Sequence, residues 1–203
     1  MARYLGPKHK ICRRVGEKLC DSAKCPTLRR DYPAGAHGPK GRNRKPTTYA
    51  LEVLEKQKAK RTYGVLERQF ENYYERAIAR VGDTSTFLGQ LLERRLDNAV
   101  FRMLLARTRA QARQVVGHGH VLVNDKKINI PSYQVNVGDT ITLKERSLQR
   151  ERFVAERNVD KRERPGWVSV DANTNVGKVT SLPTADDFPK NINLKLIIEH
   201  YSR

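Results

Sequence analysis

Four metal-ligating side chains fall close together near the start of the chain: His9, Cys12, Cys20 and Cys25. They make two short-range pairs, His9-x2-Cys12 and Cys20-x4-Cys25. One imidazole and three thiolates match the tetrahedral Cys3His inventory of structural zinc, although the spacing is not that of a common zinc finger. The same donors suit an iron–sulfur cluster, or stand as free reduced thiols. A closed four-ligand site leaves no open position for catalysis. Its role would be a clip that turns Lys8, Lys10, Arg13 and Arg14 toward an anion. Three cysteines are an odd number gathered in one place, so a reducing compartment is expected and a disulfide framework is not.

The other reactive side chains point away from catalysis. There is no Gly-rich phosphate loop of the GxxxxGKS type and no nucleophile elbow. His118-Gly119-His120 has no carboxylate or cysteine beside it in sequence, so it reads as ring donors at a helix–strand turn facing phosphate. Asp97 is a lone carboxylate among arginines, suited to orienting Arg94, Arg95 or Arg113. The chain reads as a binder, not an enzyme.

What it binds follows from charge. Forty Lys and Arg against 22 Asp and Glu leave a formal net charge of +18, with a pI of about 10.1. Such a chain repels itself unless a polyanion neutralises it. No apolar run approaches the roughly 18 residues of a membrane span, and the basic first residues have no apolar core of a secretory signal after them. RNA or DNA is left. The cations are spread along the chain, including Arg29, Arg30 and the run Lys40, Arg42, Arg44 and Lys45, so several surfaces should touch the polyanion.

The elements that must position these groups are legible in outline. Residues 1–46 are rich in Lys, Arg, Gly and Pro and cannot bury enough apolar surface to order themselves; RNA, a metal or both must do so. Helices are expected from Thr48 to Gly64 and from Val65 to Val81, with Tyr73 and Tyr74 in the core. Asp83 to Thr86 should cap a long helix whose Leu88, Leu92, Leu96, Val100 and Leu104 share one face. Thr108 and Gln111 form a capping box that opens a short helix with Ala112, Val115 and Val116 inside, while Arg109 and Arg113, four apart, face outward. Gly117 and Gly119 stop it. Val121–Val123 is a strand and Asn124-Asp125 a tight turn into Lys126 and Lys127. Alternation at Tyr133, Val135 and Val137, and again at Ile141 and Leu143, suggests antiparallel strands, as does Trp167–Val170. Ser147 to Arg164 reads as a charged helix or exposed connection, Lys178 to Asn191 as a loop, and Leu194, Ile197, Ile198 and Tyr201 as a helix or strand.

RTRAQARQVVGHGHVLVNDKKINIPSYQVNVGD closely resembles the S-four RNA-binding domain. MARYLGPKHKICRR, RRDYPAGAHG, EKQKAKRTYGVLERQF and IIEHYSR resemble the rest of the bacterial-type ribosomal protein S-four family, so the likeness covers the whole chain. The resemblance implies an α+β fold: a helical domain formed by N-terminal helices and the C-terminal tail, with an inserted S-four domain of helices plus a small antiparallel sheet. The expected divisions are a basic extension at 1–46, the first part of the helical domain at 47–92, the S-four domain with its β extension at 93–178, and the returning tail at 179–203. Some family members bind zinc through four cysteines in the N-terminal region; Cys12, Cys20 and Cys25 fall where three of them lie, with His9 in place of the first. Other members lack the ligands.

The resemblance further implies a primary binder of small-subunit ribosomal RNA in its 5′ domain. It implies nucleation of subunit-body assembly and an influence on decoding accuracy together with proteins S-five and S-twelve, with messenger RNA nearby. The expected location is the ribosome of the cytoplasm or of an organelle, with no stable homo-oligomer. The RNA-contacting residues would be Lys8, Lys10, Arg13, Arg14, Arg29, Arg30, Lys40, Arg42, Arg44, Lys45, Arg94, Arg95, Arg107, Arg109, Arg113, His118, His120, Asn124, Lys126 and Lys127. S-four domains also occur in RNA-modifying enzymes, but about 90 residues before the module and about 50 after it leave no room for a catalytic domain of ~100–150 residues. Repression of its own messenger is compatible with this reading.

Overall fold

A computed structural model describes residues 4–22, 24–30, 32–39, 45–144, 164–171 and 176–202. The fold is α+β and divides into two compact units, Met1–Ala79 with Asn191–Arg203, and Arg80–Lys190. No helix among the described residues is long and apolar enough to cross a membrane.

Among its described residues the first unit holds four α-helices: α1 (Lys8–Val15), α2 (Thr48–Thr62), α3 (Glu67–Ile78) and, from the far end of the chain, a helix over Leu194–Tyr201. The Thr47 hydroxyl accepts from the Ala50 amide and starts α2. Asn193 does the same for the C-terminal helix, accepting from the Lys195 and Leu196 amides, so the helical reading of that tail holds and the strand does not. α3 buries Phe70, Tyr73, Tyr74 and Ala77. It stops at Ile78, short of Val81, which is fully exposed.

The contact between α2 and the C-terminal helix is unusually polar. α2 buries Glu52, Glu55, Lys58 and Lys60 beside Ala59. Glu55 accepts from the Asn193 amide at 2.9 Å and pairs with Lys58 at 2.8 Å; Lys58 reaches Glu17 at 2.7 Å. Tyr201 stacks on Tyr74 with ring centroids 4.7 Å apart and donates its hydroxyl to Glu67 at 2.9 Å. Burial pushes the Glu67 carboxyl up, but bonds from Lys56, Lys60 and Tyr201 outweigh it and bring it down to about 2.

Among its described residues the second unit contains α4 (Thr84–Glu93), α5 (Leu96–Arg102), α6 (Arg109–Gly117) and five short strands, β1 (Val121–Val123), β2 (Lys126–Lys127), β3 (Thr140–Leu143), β4 (Val168–Val170) and β5 (Gly177–Val179). The C-terminal helix of the first unit is therefore α7. The strands make one antiparallel sheet in the order β2-β1-β3-β5-β4. Leu96, Ala99 and Val100 of α5, Ala112, Val115 and Val116 of α6, and Val121, Ile141, Leu143, Trp167 and Val179 share one core. At α4 a side chain on Gly89 would strike the Phe188 ring, which lies 2.4 Å from where its Cβ would be.

The expected long helix is broken. Arg95 is extended (φ −65°, ψ 136°) between α4 and α5. The Leu96 amide donates to Tyr133 O at 2.8 Å, and Val135 donates to Arg94 O at 2.9 Å. The Tyr133–Val137 stretch therefore bonds to this junction, with a single bridge between Arg95 and Gln134, and adds no strand to the sheet. Leu104 lies past the end of α5 in the left-handed region (φ 61°). The expected loop after Lys178 begins inside β5, a strand with too few apolar residues to announce itself. The charged stretch from Ser147 lies outside the described residues except for Arg164.

Candidate nucleic-acid interface

Asp83 caps α4, accepting from the Ser85 and Thr86 amides. Thr108 caps α6, accepting from the Gln111 amide at 3.1 Å, and Gln111 reaches back one residue further than expected, to the Arg107 amide at 3.0 Å. α6 ends in a Schellman motif: Gly119 N donates to Val116 O at 2.8 Å and His120 N to Val115 O at 3.2 Å. Gly119 needs its glycine for φ +68°, and a Cβ there would lie 2.3 Å from Lys127 Cε, so the flexible lysine stem would have to shift. The Lys127 stem thus crosses the turn between His118 and His120, whose rings are 6.0 Å apart. Asn124 and Asp125, both at positive φ, form the hairpin turn between β1 and β2.

Behind this surface lies a lattice of buried acids and arginines. Asp97 accepts from Arg95 Nε at 3.0 Å and Nη2 at 2.7 Å, and from Arg113 Nη1 at 3.2 Å. Glu93, fully buried, accepts from Arg102 through both oxygens at 2.8 Å. Asn98 joins the two helices, donating to Glu93 and accepting from Arg109 Nε at 2.9 Å. Arg94 donates to Val135 O at 2.8 Å and to Asn136 Oδ1 at 2.6 Å. Burial, with Arg80 nearby, lowers its guanidinium from the ordinary value.

This sorts the expected contact residues. Arg107, His118, Lys126 and Lys127 are exposed, and His120 is half-buried. Arg95 is completely buried, which removes it from any surface; the position seemed outward only because one continuous helix was expected. Arg109 and Arg113 are half-buried and tied into the lattice, not simply exposed. Asn124 is exposed but committed to the start of β3, donating to Asp139 and accepting from Thr140. In the first unit Lys8, Lys10, Arg14, Arg29, Arg30 and Lys45 are exposed. Arg13 instead holds the Tyr32–Pro33 backbone, donating to both carbonyls at 2.9 and 3.0 Å with its guanidinium over the Tyr32 ring. Lys40, Arg42 and Arg44 lie outside the described residues. Sequence reading missed Glu93, Asn98 and Phe101; a Glu and an Asn inside an apolar stripe were the only signal.

His9, Cys20 and Cys25 bring one ligand atom each to within 4.8 Å of one another. Cys20 Sγ is 3.6 Å from His9 Nδ1, the edge expected between two ligands of a tetrahedral ion with bonds of roughly 2.0–2.3 Å. Cys25 Sγ lies 3.4 Å from the Thr27 hydroxyl. Burial raises Cys20 to about 11; Cys25, although burial opposes it, falls to about 6 through hydrogen bonding with Thr27. Cys12 is buried and interacts with Cys20 but stands outside the three-atom group. Three of the four expected ligands therefore meet, and the soft donors fit a thiophilic metal ion.

The family profile described as "Ribosomal protein S4/S9 N-terminal domain" matches residues 3–93, and the "S4 domain" profile matches residues 94–141. Small ribosomal subunit protein uS4A of Symbiobacterium thermophilum is 48% identical over the whole of both chains. Small ribosomal subunit protein uS4 of Halothermothrix orenii is 47% identical, and that of Roseiflexus castenholzii 46%, again over all of both chains. The chain belongs to the uS4 family of small ribosomal subunit proteins. Members of the uS4 family are structural proteins rather than enzymes. The α5–α6 pair, the glycine turn and the β1–β2 hairpin all fall within the matched S4 domain.

Proposed function

We propose that the chain binds small-subunit ribosomal RNA, at a multi-helix junction of the 5′ domain, and nucleates assembly of the subunit body. One observation carries this reading. Arg107, Lys126 and Lys127 are exposed with no acidic partner among the described residues, while the acids of the neighbouring helices, Glu93 and Asp97, are buried and held by arginines. The surface around α6 and the β1–β2 hairpin thus shows surplus positive charge to solvent. Such cations displace counterions from folded RNA, and backbone and shape are what they read, because an RNA helix hides its base edges in a deep groove.

Membership of the uS4 family supports the rest: proximity to messenger RNA, an influence on decoding accuracy alongside proteins S-five and S-twelve, and residence on the cytoplasmic ribosome. The His9, Cys20 and Cys25 cluster, with Cys12 beside it, would hold zinc. The ion would supply a crosslink between α1 and the turn at Pro26–Leu28, in a segment with little apolar burial of its own.

The test is binding of the full chain to a 5′-domain ribosomal RNA transcript across a salt titration. Replacing Arg107 and Lys127 together by Ala should weaken binding at low salt and flatten the slope of log K against log salt by about one to two. An unchanged slope and affinity would remove this surface from the interface.

A further inference from the structure

We propose that Asn98 and Phe101 are positioning residues for Arg109, aiming its guanidinium at the RNA; this rests on the RNA-binding reading of the α6 surface. Arg109 is the first residue of α6, and α5 supplies two groups that hold it. Asn98 is 2% exposed and sits deep between the helices. Its Nδ2 donates to Glu93 O at 3.0 Å and to Glu93 Oε2 at 2.8 Å. Both amide hydrogens are thereby assigned. A flipped amide would set Oδ1 against two acceptors, so Oδ1 must face Arg109 Nε, 2.9 Å away. Glu93 cannot turn to accommodate a flip, because Arg102 grips both of its oxygens and also donates to Asp187 O at 2.7 Å.

Phe101 defines the second coordinate. It follows Asn98 by three positions on α5, and the Arg109 guanidinium lies over its ring at 4.4 Å from the centroid. The ring holds the guanidinium over its face, and Asn98 fixes where the Nε edge sits. Asn98 takes one of the five N–H donors that a guanidinium carries. A long, rotamer-rich side chain held in this way has less freedom to lose when it meets phosphate, so prior ordering is gained as affinity. A buried Asn contributes nothing to the apolar core around it; its place there is to bridge the buried Glu93 to Arg109.

A double-mutant cycle on the full chain separates positioning from general support. The probe is the 5′-domain ribosomal RNA transcript, with binding read at several salt concentrations and thermal unfolding read for every variant. Phe101→Leu keeps most of the apolar volume and removes the ring; Asn98→Ser shortens the side chain and withdraws its acceptor from Arg109. Each should weaken RNA binding roughly three- to tenfold without changing the salt slope, because no charge is lost. In an Arg109→Ala background neither should weaken it further, since the residue they act through is gone. Equal losses in both backgrounds, or no loss beside wild-type Arg109, would overturn the inference, and Phe101→Leu decides it if Asn98→Ser fails to fold. Wild-type affinity in Arg109→Ala alone would overturn it too, while the surface itself is judged independently by Arg107 and Lys127.

Discussion

Asp97 holds Arg113 across the α5–α6 contact with the same oxygen that receives Arg95: Oδ2 lies 3.2 Å from Arg113 Nη1 and 2.7 Å from Arg95 Nη2. Asp97 is 4% exposed and Arg95 not at all. One carboxylate thus neutralises a buried cation and ties a second arginine to the same point. Asp97→Asn should destabilise the fold by about 3 kcal/mol, because it leaves Arg95 charged, buried and without its counter-ion. Denaturant unfolding would show this; a loss below about 0.5 kcal/mol would mean that Arg95 finds water or another acceptor.

Gly119 makes a prediction of a different kind. Alanine there must adopt φ +68° and displace the Lys127 stem. The backbone strain should cost about 1–2 kcal/mol in thermal unfolding. The displaced lysine is flexible, so its movement should show in weaker RNA binding more than in stability. A Gly119→Ala chain with full stability and unaltered binding would contradict the turn geometry.

The docking of α7 should be acid-sensitive. The Glu67 carboxyl falls from its ordinary 4.5 to about 2, held down by Lys56, Lys60 and Tyr201. A lowered value means that the stabilisation is complete above pH 4.5 and disappears as pH falls toward 2. The Glu67 side chain is 44% exposed, so solvent screening should limit the loss to about 1 kcal/mol. Tyr201→Phe removes the hydroxyl donor and should shrink this acid-dependent component. Unfolding of both forms across that pH range is the check, and identical pH profiles would exclude Tyr201 from the network.

Purified chain should carry stoichiometric zinc, and Cys20→Ser should carry almost none, because Cys20 lies within ligand distance of both His9 and Cys25. Cys12→Ser should retain part of its metal, since Cys12 stands outside the three-atom group. Elemental analysis decides this. Near-zero zinc in the wild-type chain would leave the thiols with a packing role only.

Much of the scaffold is legible in the sequence. Thr108 before a periodic apolar run, Asp83 before Leu88, and Asn124-Asp125 between alternating residues each mark a boundary through hydrogen bonds or dihedral preferences within a few positions. The burial of Tyr73 and Tyr74 followed from helical spacing in the same way. Such signals are local, and so they survive in a string of letters. β5 escaped because Gly-Lys-Val has no strand pattern of its own; it is made a strand by pairing with β3 and β4.

What the sequence by itself determined was a cationic α+β chain of the uS4 family with capped helices and a cysteine–histidine cluster. Which cations face outward was decided only by tertiary structure. Arg94 and Arg95 are neighbours of the same type, yet one reaches Val135 and the other closes on Asp97 inside the core. That difference arises because residues 131–135, some 40 positions along the chain, supply the backbone partners that break the helix at Arg95. Burying the Arg95 guanidinium is tolerable because both oxygens of Asp97 meet it, and that local pair closes inside the core only because the distant 131–135 backbone turns the chain there, which is a property of the folded chain.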